Sequence, residues 1–159
     1  MTGNFNLMFE VKMKTFKNKK ALREYFLIEE MEAGIVLQGS EIKSIRNGNI
    51  SFKDSYARIE NNEIWLYNLH ISIFTEASYN NHDPERKRKL LLQKRQIEKL
   101  RKKVEEKGLT LIPKNLYINS AGLAKVTLAV AKGKKNYDKR DDLQKKTQLR
   151  DMERKIKNF

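Results

Sequence analysis

Thr110-Leu-Ile-Pro-Lys-Asn-Leu-Tyr-Ile118 is followed by Asn119-Ser-Ala-Gly122 and, after Leu123, by Ala124-Lys-Val-Thr-Leu-Ala-Val-Ala131. In the last run Val126, Leu128 and Val130 alternate with Lys125, Thr127 and Ala129. A period of two puts alternate side chains on opposite faces of an extended chain, so one face is buried. The polar loop between two such runs predicts an antiparallel hairpin. Outward from it, Asp54–Glu60 and Glu63–Leu69 flank Asn61-Asn62. Asparagine tolerates positive φ, so this pair predicts a second, two-residue hairpin. Residues 25–37 are rich in β-branched and aromatic side chains, interrupted by Glu29, Glu30 and Glu32. Gly34 in that run predicts a bulge or bend of the kind that curls a sheet. Several short strands joined by hairpins imply a mainly β fold (α+β) whose sheet curls into a small antiparallel barrel, closed or nearly so.

About three helices decorate this sheet. Lys19–Glu24 is a short one with Asn18 as N-cap. Glu41–Arg46 is a second, ended by Asn47-Gly48. The longest is expected from about Leu90 to Lys107 and stops at Gly108. Leu90, Ile97, Leu100 and Val104 recur at helical spacing and define its packed face. Lys94, Arg95, Lys99, Arg101, Lys102 and Lys103 occupy much of the remainder, either as a solvated face or as a nucleic-acid contact.

Charge separates the chain into parts. Of a formal net charge of +14, residues 85–107 supply +7 (eleven Lys or Arg against four Glu) and residues 132–159 supply +6 (eleven against five). Charge concentrated in two blocks raises the local potential and speeds encounter with phosphate backbones. The C-terminal block holds only Leu143, Leu149, Met152 and Ile156 as aliphatic residues. It gains little by folding alone and is expected to stay disordered until a polyanion neutralises it. Asp141 or Asp142 can cap a helix running toward Ile156, which would form on such a partner. Tyr137 among the cations suits stacking on a base beside phosphate contacts. Two readings of this tail stand, an RNA-binding arm and a solvated extension that aids solubility; the concentration of charge favours the first.

The sequence implies three parts: a poorly ordered leader over residues 1–16, a folded domain over 17–131 and the basic tail over 132–159. There are no cysteines among the 159 residues, which excludes disulfides and thiolate metal sites and permits a reducing cytoplasm. No run of about 18 apolar residues occurs, so no membrane-spanning helix is expected. Met1–Lys14 lacks the continuous apolar segment of a secretory signal. Polybasic segments also attract anionic lipid, but residues 143–159 present no bulky apolar face apart from Phe159. His82-Asp83 admits a metal or acid–base reading, yet His70 and His82 are the only histidines and no carboxylate cluster at ligand spacing accompanies them. Asp83-Pro84 reads instead as a turn. No nucleophile–base–orienter set, metal site, phosphate loop or cofactor motif is legible, so no catalytic residues and no cofactor are expected. The residues alone describe a structured-RNA-binding protein, ribosomal or otherwise.

Specific segments carry a resemblance. They are Asn18-Lys-Lys-Ala21, Glu32-Ala-Gly-Ile-Val-Leu37, Gly39-Ser-Glu-Ile-Lys-Ser-Ile-Arg46 and Lys53-Asp-Ser-Tyr-Ala-Arg58. They continue with His82-Asp-Pro84, Arg88-Lys-Leu-Leu-Leu92, Gly108-Leu-Thr-Leu111, Ala131-Lys-Gly-Lys-Lys135 and Asp138-Lys-Arg140. In this order, from Asn18 to Arg140, they resemble the SsrA-binding (small protein B) family. Two positions depart from it: Ile73 follows His70-Ile-Ser where members often have Pro, and Tyr137 stands where many carry His.

The resemblance implies an oligonucleotide-binding-like barrel. It implies a monomer that binds the tRNA-like domain of one transfer-messenger RNA and escorts it to stalled ribosomes, in the cytoplasm, without covalent chemistry of its own. It carries RNA contacts onto Glu32, Leu91 and Lys125, with Asn18, Lys19, Arg46, Arg88 and Lys89 in the same motifs. It likewise carries the segment that reaches the decoding centre and messenger channel onto Gly133, Lys134, Lys135, Tyr137, Asp138, Lys139 and Arg140.

Overall fold

A computed structural model describes residues 14–76 and 81–157. In chain order the elements are β1 (Thr15–Lys17), α1 (Lys19–Glu24), β2 (Tyr25–Ile35), α2 (Gly39–Arg46), β3 (Ile50–Ser51), β4 (Tyr56–Glu60) and β5 (Glu63–Tyr67). They continue with β6 (His70–Ile71), β7 (Arg88–Leu91), α3 (Lys94–Lys107), β8 (Thr110–Ile118), β9 (Ala124–Gly133) and α4 (Asn136–Lys157).

The two hairpins form where the loop residues allow them. Asn61 and Asn62 have φ of 49° and 63°, the left-handed pair that matches the twist of β4 and β5. Gly122, at φ 80°, closes the turn between β8 and β9, which pair from Ile118↔Ala124 to Thr110↔Ala131. The hairpins join others in one sheet. β8 pairs β4, β4 pairs β5, β5 pairs β7, β7 pairs β2, β2 pairs β9, and β9 returns to β8, so six antiparallel strands close a ring. β1 adds to β8 beyond the point where β4 leaves it. β3 and β6 form a separate two-stranded ribbon.

Inward-facing Ile35, Ile64, Leu66, Leu90, Leu116, Val126 and Leu128 fill the ring and join Ile45 of α2 and Leu100 of α3 in one apolar cluster. The face of α3 legible in the sequence is the packed one, with Ile97 and Leu100 buried and Val104 against them. α3 ends at Gly108, φ 60°. The alternation in β9 holds for Val126, Leu128 and Val130, but Ala129 and Ala131 are buried too. α1 covers that end of the outer face, where Ala21 packs with Ile112 and Ala131.

Three expectations are corrected. Leu90 and Leu91 belong to β7 rather than to the first turn of α3, because Leu90 pairs with both β5 and β2 and Leu91 with β2; the helix starts only after Gln93, through a capping box with Gln96. The register shift in β2 lies between Leu27 and Glu29, not at Gly34. Thr15 and Phe16, assigned to the leader, enter the sheet as part of β1, with Phe16 packed against the core; residues 1–13 lie outside the described ones. Of the four helices among the described residues, α1, α2 and α3 are the three expected on the sheet. The fourth, α4, occupies the segment expected to be disordered in isolation. Its start docks on the body: Lys134 is paired with Asp142 and also donates to the carbonyl of Leu22 (3.3 Å).

Candidate nucleic-acid interface

β7, β2, β9, β8 and β1 lie side by side, and their outward residues form rows across the sheet. One row runs Leu91–Gly34–Lys125–Tyr117–Thr15, each paired in register with the next. The adjacent row runs Glu32–Thr127–Asn115–Lys17. Three residues far apart in sequence, Glu32, Leu91 and Lys125, therefore share one surface.

Local packing shapes that surface. Leu91 is 54% exposed, an apolar side chain at the end of the row that is open to a partner. It leans over Gly34, where a Cβ would stand 3.4 Å from the Leu91 Cβ and Cδ1, so the small residue next to it in the row leaves Leu91 room. Lys125 is half-buried along its stem and has neither a hydrogen-bond nor an ion-pair partner among the described residues. Glu32 is exposed and accepts a hydrogen bond from the Tyr117 hydroxyl. That bond, with partial burial and the carboxylate's charge adding to it, pushes the Tyr117 phenol up to about 12. Tyr117 is thus a permanent donor at neutral pH. The other two carboxylates of β2 are ion-paired, Glu29 with Lys103 and Glu30 with Lys114 at 2.8 Å; Glu32 has only this neutral donor.

Cations surround the rows. Lys17 is exposed at one end, and Lys14 donates to the Arg46 carbonyl (3.2 Å). Arg46 is exposed at the end of α2, its guanidinium beside the Gly122 turn. Lys89 faces outward two residues before Leu91, paired with Glu63 at 3.2 Å. Lys19 is exposed at the start of α1. On α3, Arg101 and Lys103 are ion-paired, whereas Lys94, Arg95, Lys99 and Lys102 are exposed with no ion-pair partner among the described residues.

Two residues expected at the RNA surface lie inside instead. Asn18 is buried, its amide donating to the Pro113 carbonyl (2.8 Å) and its oxygen accepting from the Ala21 N–H (3.2 Å). It caps α1 and ties it to β8. Arg88 is fully buried. Its Nε donates to Glu41, Nη1 to the Leu69 carbonyl (2.6 Å) and Nη2 to the Pro84 carbonyl (3.1 Å). Burial pushes the Arg88 guanidinium down, opposed by the Glu41 carboxylate. Burial alone would raise Glu41, but the Gln38 N–H together with Arg86 and Arg88 outweighs it and holds the carboxyl below its ordinary value. This cluster ties α2 to the β7 side of the sheet. His82, the other candidate for chemistry, is also buried. Its Nε2 faces the Ile71 carbonyl (2.8 Å) and therefore carries the proton; Nδ1 meets the Ser40 hydroxyl at 2.8 Å. Among the described residues no group of three or more side chains is arranged to hold a metal ion.

In the tail segment, Gly133 ends β9 opposite Tyr25. Lys134 is an anchor rather than a free cation: only 8% of its side chain is exposed, and its ammonium lies 4.9 Å from the Phe26 ring centre as well as against Asp142. Lys135 and Arg140 are exposed. Tyr137, Asp138 and Lys139 fall within α4, but their side chains lie outside the described ones. The sequence reading does not single out Tyr117, and it treats Gly34 as a bend rather than as part of this face. The pairing of Tyr117 with Lys125 is countable from the hairpin loop; the contact of Gly34 with Leu91 has no local signal.

The arrangement suits binding of a polyanion bearing both phosphates and directed donors. A model of the SmpB protein family matches residues 15–158. The SsrA-binding protein of Desulfitobacterium hafniense (strain DSM 10664 / DCB-2) is 55% identical over 141 residues, covering 89% of this chain and 90% of the relative. That of Thermosipho melanesiensis is 51% identical over 142 residues, covering 89% and 94%. A chain of a solved structure described as "tmRNA-SmpB: a journey to the center of the bacterial ribosome" superposes with a TM-score of 0.66 at 48% identity, covering 77% of this chain and 85% of that one.

Proposed function

The chain belongs to the SmpB protein family, and from that premise we propose that it binds transfer-messenger RNA and takes it to stalled ribosomes in trans-translation. The closed ring is read as an oligonucleotide-binding-like barrel, with the tRNA-like domain of one RNA bound to a monomer on the β7–β2–β9–β8–β1 face. The observation that carries this is the convergence of Leu91, Gly34, Lys125 and Tyr117 in one register row with Glu32 beside them. Lys125, Lys17, Lys19 and Arg46 hold phosphates, Leu91 packs on a base or sugar, and Lys89 exchanges Glu63 for RNA as the complex forms. Asn18 and Arg88 act from inside, by fixing α1 and α2. The protein works by binding and positioning in the cytoplasm, with no covalent step of its own and no cofactor.

The tail acts on the ribosome. Residues from Lys135 onward enter the decoding centre and the empty messenger channel, Tyr137 stacking on a base while Lys139 and Arg140 hold phosphates. α4 is helical there and loosens when the protein is free. Binding of the tRNA-like domain at several salt concentrations tests the face: Lys125→Ala should shallow the slope of log K against log salt by about 0.7 to 0.9, and Leu91→Ala should weaken binding at unchanged slope. Full affinity of the Lys125→Ala, Leu91→Ala double variant would move the RNA elsewhere on the molecule.

A further inference from the structure

We propose that Tyr117 is a positioning residue for RNA recognition: its hydroxyl holds the Glu32 carboxylate so that the second oxygen accepts from an N–H or O–H donor of the bound RNA. This rests on the RNA face described above and adds a role for a residue of that face.

A carboxylate on a face that carries Lys125 and Lys17 repels phosphate, and β2 shows how such a charge is ordinarily neutralised. Glu29 and Glu30 on the same strand are each held by a lysine, Lys103 and Lys114. Glu32 is not, although the cation of Lys125 projects from the neighbouring strand one register step away. Its partner is the phenol of Tyr117 on β8, reached across β9. A neutral donor fixes the carboxylate without cancelling its charge. An ionised carboxylate has about four acceptor positions, so one bond from Tyr117 leaves it under-satisfied and directed. Such a group excludes phosphate from its own position and sends the backbone toward the lysines elsewhere on the face. It then selects a group that can donate, either the amino or imino edge of an unpaired base or a ribose 2′-hydroxyl. Tyr117 is well built for the task, since its ring is half-buried and its Cα is fixed by pairing on both sides, with Thr15 and with Lys125.

The test is a thermodynamic cycle with the full chain and the tRNA-like domain as probe. Tyr117→Phe removes only the hydroxyl. In the native background it should weaken binding about tenfold with the salt slope unchanged, as for a hydrogen bond to a charged group. In a Glu32→Ala background the same substitution should cost nothing, because the carboxylate it positions is gone. Equal costs in the two backgrounds, or no cost in either, would overturn the proposal. Two probes distinguish the donor. RNAs with single 2′-deoxy substitutions report a hydroxyl, and RNAs with inosine for guanosine report a base amino group. One such change should reduce affinity for the native protein and leave Glu32→Ala unaffected; insensitivity of the native protein to every substitution would count against the acceptor role. Absence of any binding by the native protein would instead refute the RNA face itself.

Discussion

Glu41 lies wholly inside the protein with Arg86 and Arg88 on its carboxylate, and it joins α2 to the strand side of the fold. Its charge is tolerable only because both arginines and the Gln38 N–H are present. Glu41→Gln leaves a fully buried guanidinium without its counter-charge and should cost about 3 to 5 kcal/mol in urea unfolding at pH 7; a loss under about 1 kcal/mol would mean that water or local relaxation supplies the compensation. The pH dependence follows from the same group. The folded carboxyl titrates below its ordinary value, so its contribution is present above the unfolded value of about 4.3 and is lost as pH falls through the folded one. The native protein should therefore lose stability in acid, and Glu41→Gln should flatten that limb of the melting-temperature profile. At the opposite end of the scale, Tyr117 should ionise near 12 in a spectrophotometric titration, and in Glu32→Ala it should fall back toward the ordinary phenol value of about 10. What the sequence could say at this scale was uneven. Asn18 was legible as a cap from its place before an amphipathic turn. Arg88 was not legible as interior, because an arginine in a run of basic residues reads as surface until its partner, 47 positions away, is known.

The elements whose ends are set by local chemistry appear where the sequence puts them. Asn61-Asn62 makes the β4–β5 turn, Gly108 ends α3 and Gly122 closes the β8–β9 loop, each in the left-handed region. Asn62→Val forces a β-branched residue to φ 63° and should cost about 1 to 3 kcal/mol, measured by chemical denaturation. β7 fails the local reading because Arg88-Lys-Leu-Leu91 has no strand period long enough to detect. It is extended only because β5 and β2 both offer ladder partners. α4 sits between these cases. Its length suffices for a helix, yet Leu149, Met152 and Ile156 are exposed, so only its docked start is held by the body. Lys146→Pro breaks it in the middle. Tagging on stalled ribosomes should fall while affinity for the isolated tRNA-like domain stays near native; normal tagging would remove the helix as a requirement.

Across the whole molecule, the proposed function gives the RNA domain to the ring and the ribosome to the tail. β9 closes the ring and ends at Gly133, and Lys134 still packs against Leu22 and Phe26, so the body extends to that point. Truncation after Lys135 should leave the fold and binding of the tRNA-like domain intact, and should abolish tagging. A truncated protein that no longer bound the RNA domain would show that α4 belongs to the RNA face.

The sequence by itself determined the family, the β-rich class, both hairpins, the Asn18 cap, the glycine stop of α3 and the two blocks of positive charge. Each depends on neighbours in the chain: period-two alternation, residues that accept positive φ, side chains that cap a helix, and the sum of local charges. Tertiary structure alone decided which strands pair to close the ring, that Leu91 leaves its helix-like context for a strand over Gly34, and that Glu32 meets Tyr117 across an intervening strand. It also decided which cations are free. Lys125 stands open whereas Lys134 and Arg88 are committed to the body, because burial and pairing depend on distance in space, and residues 47 or 85 positions apart carry no mark of that distance in their order.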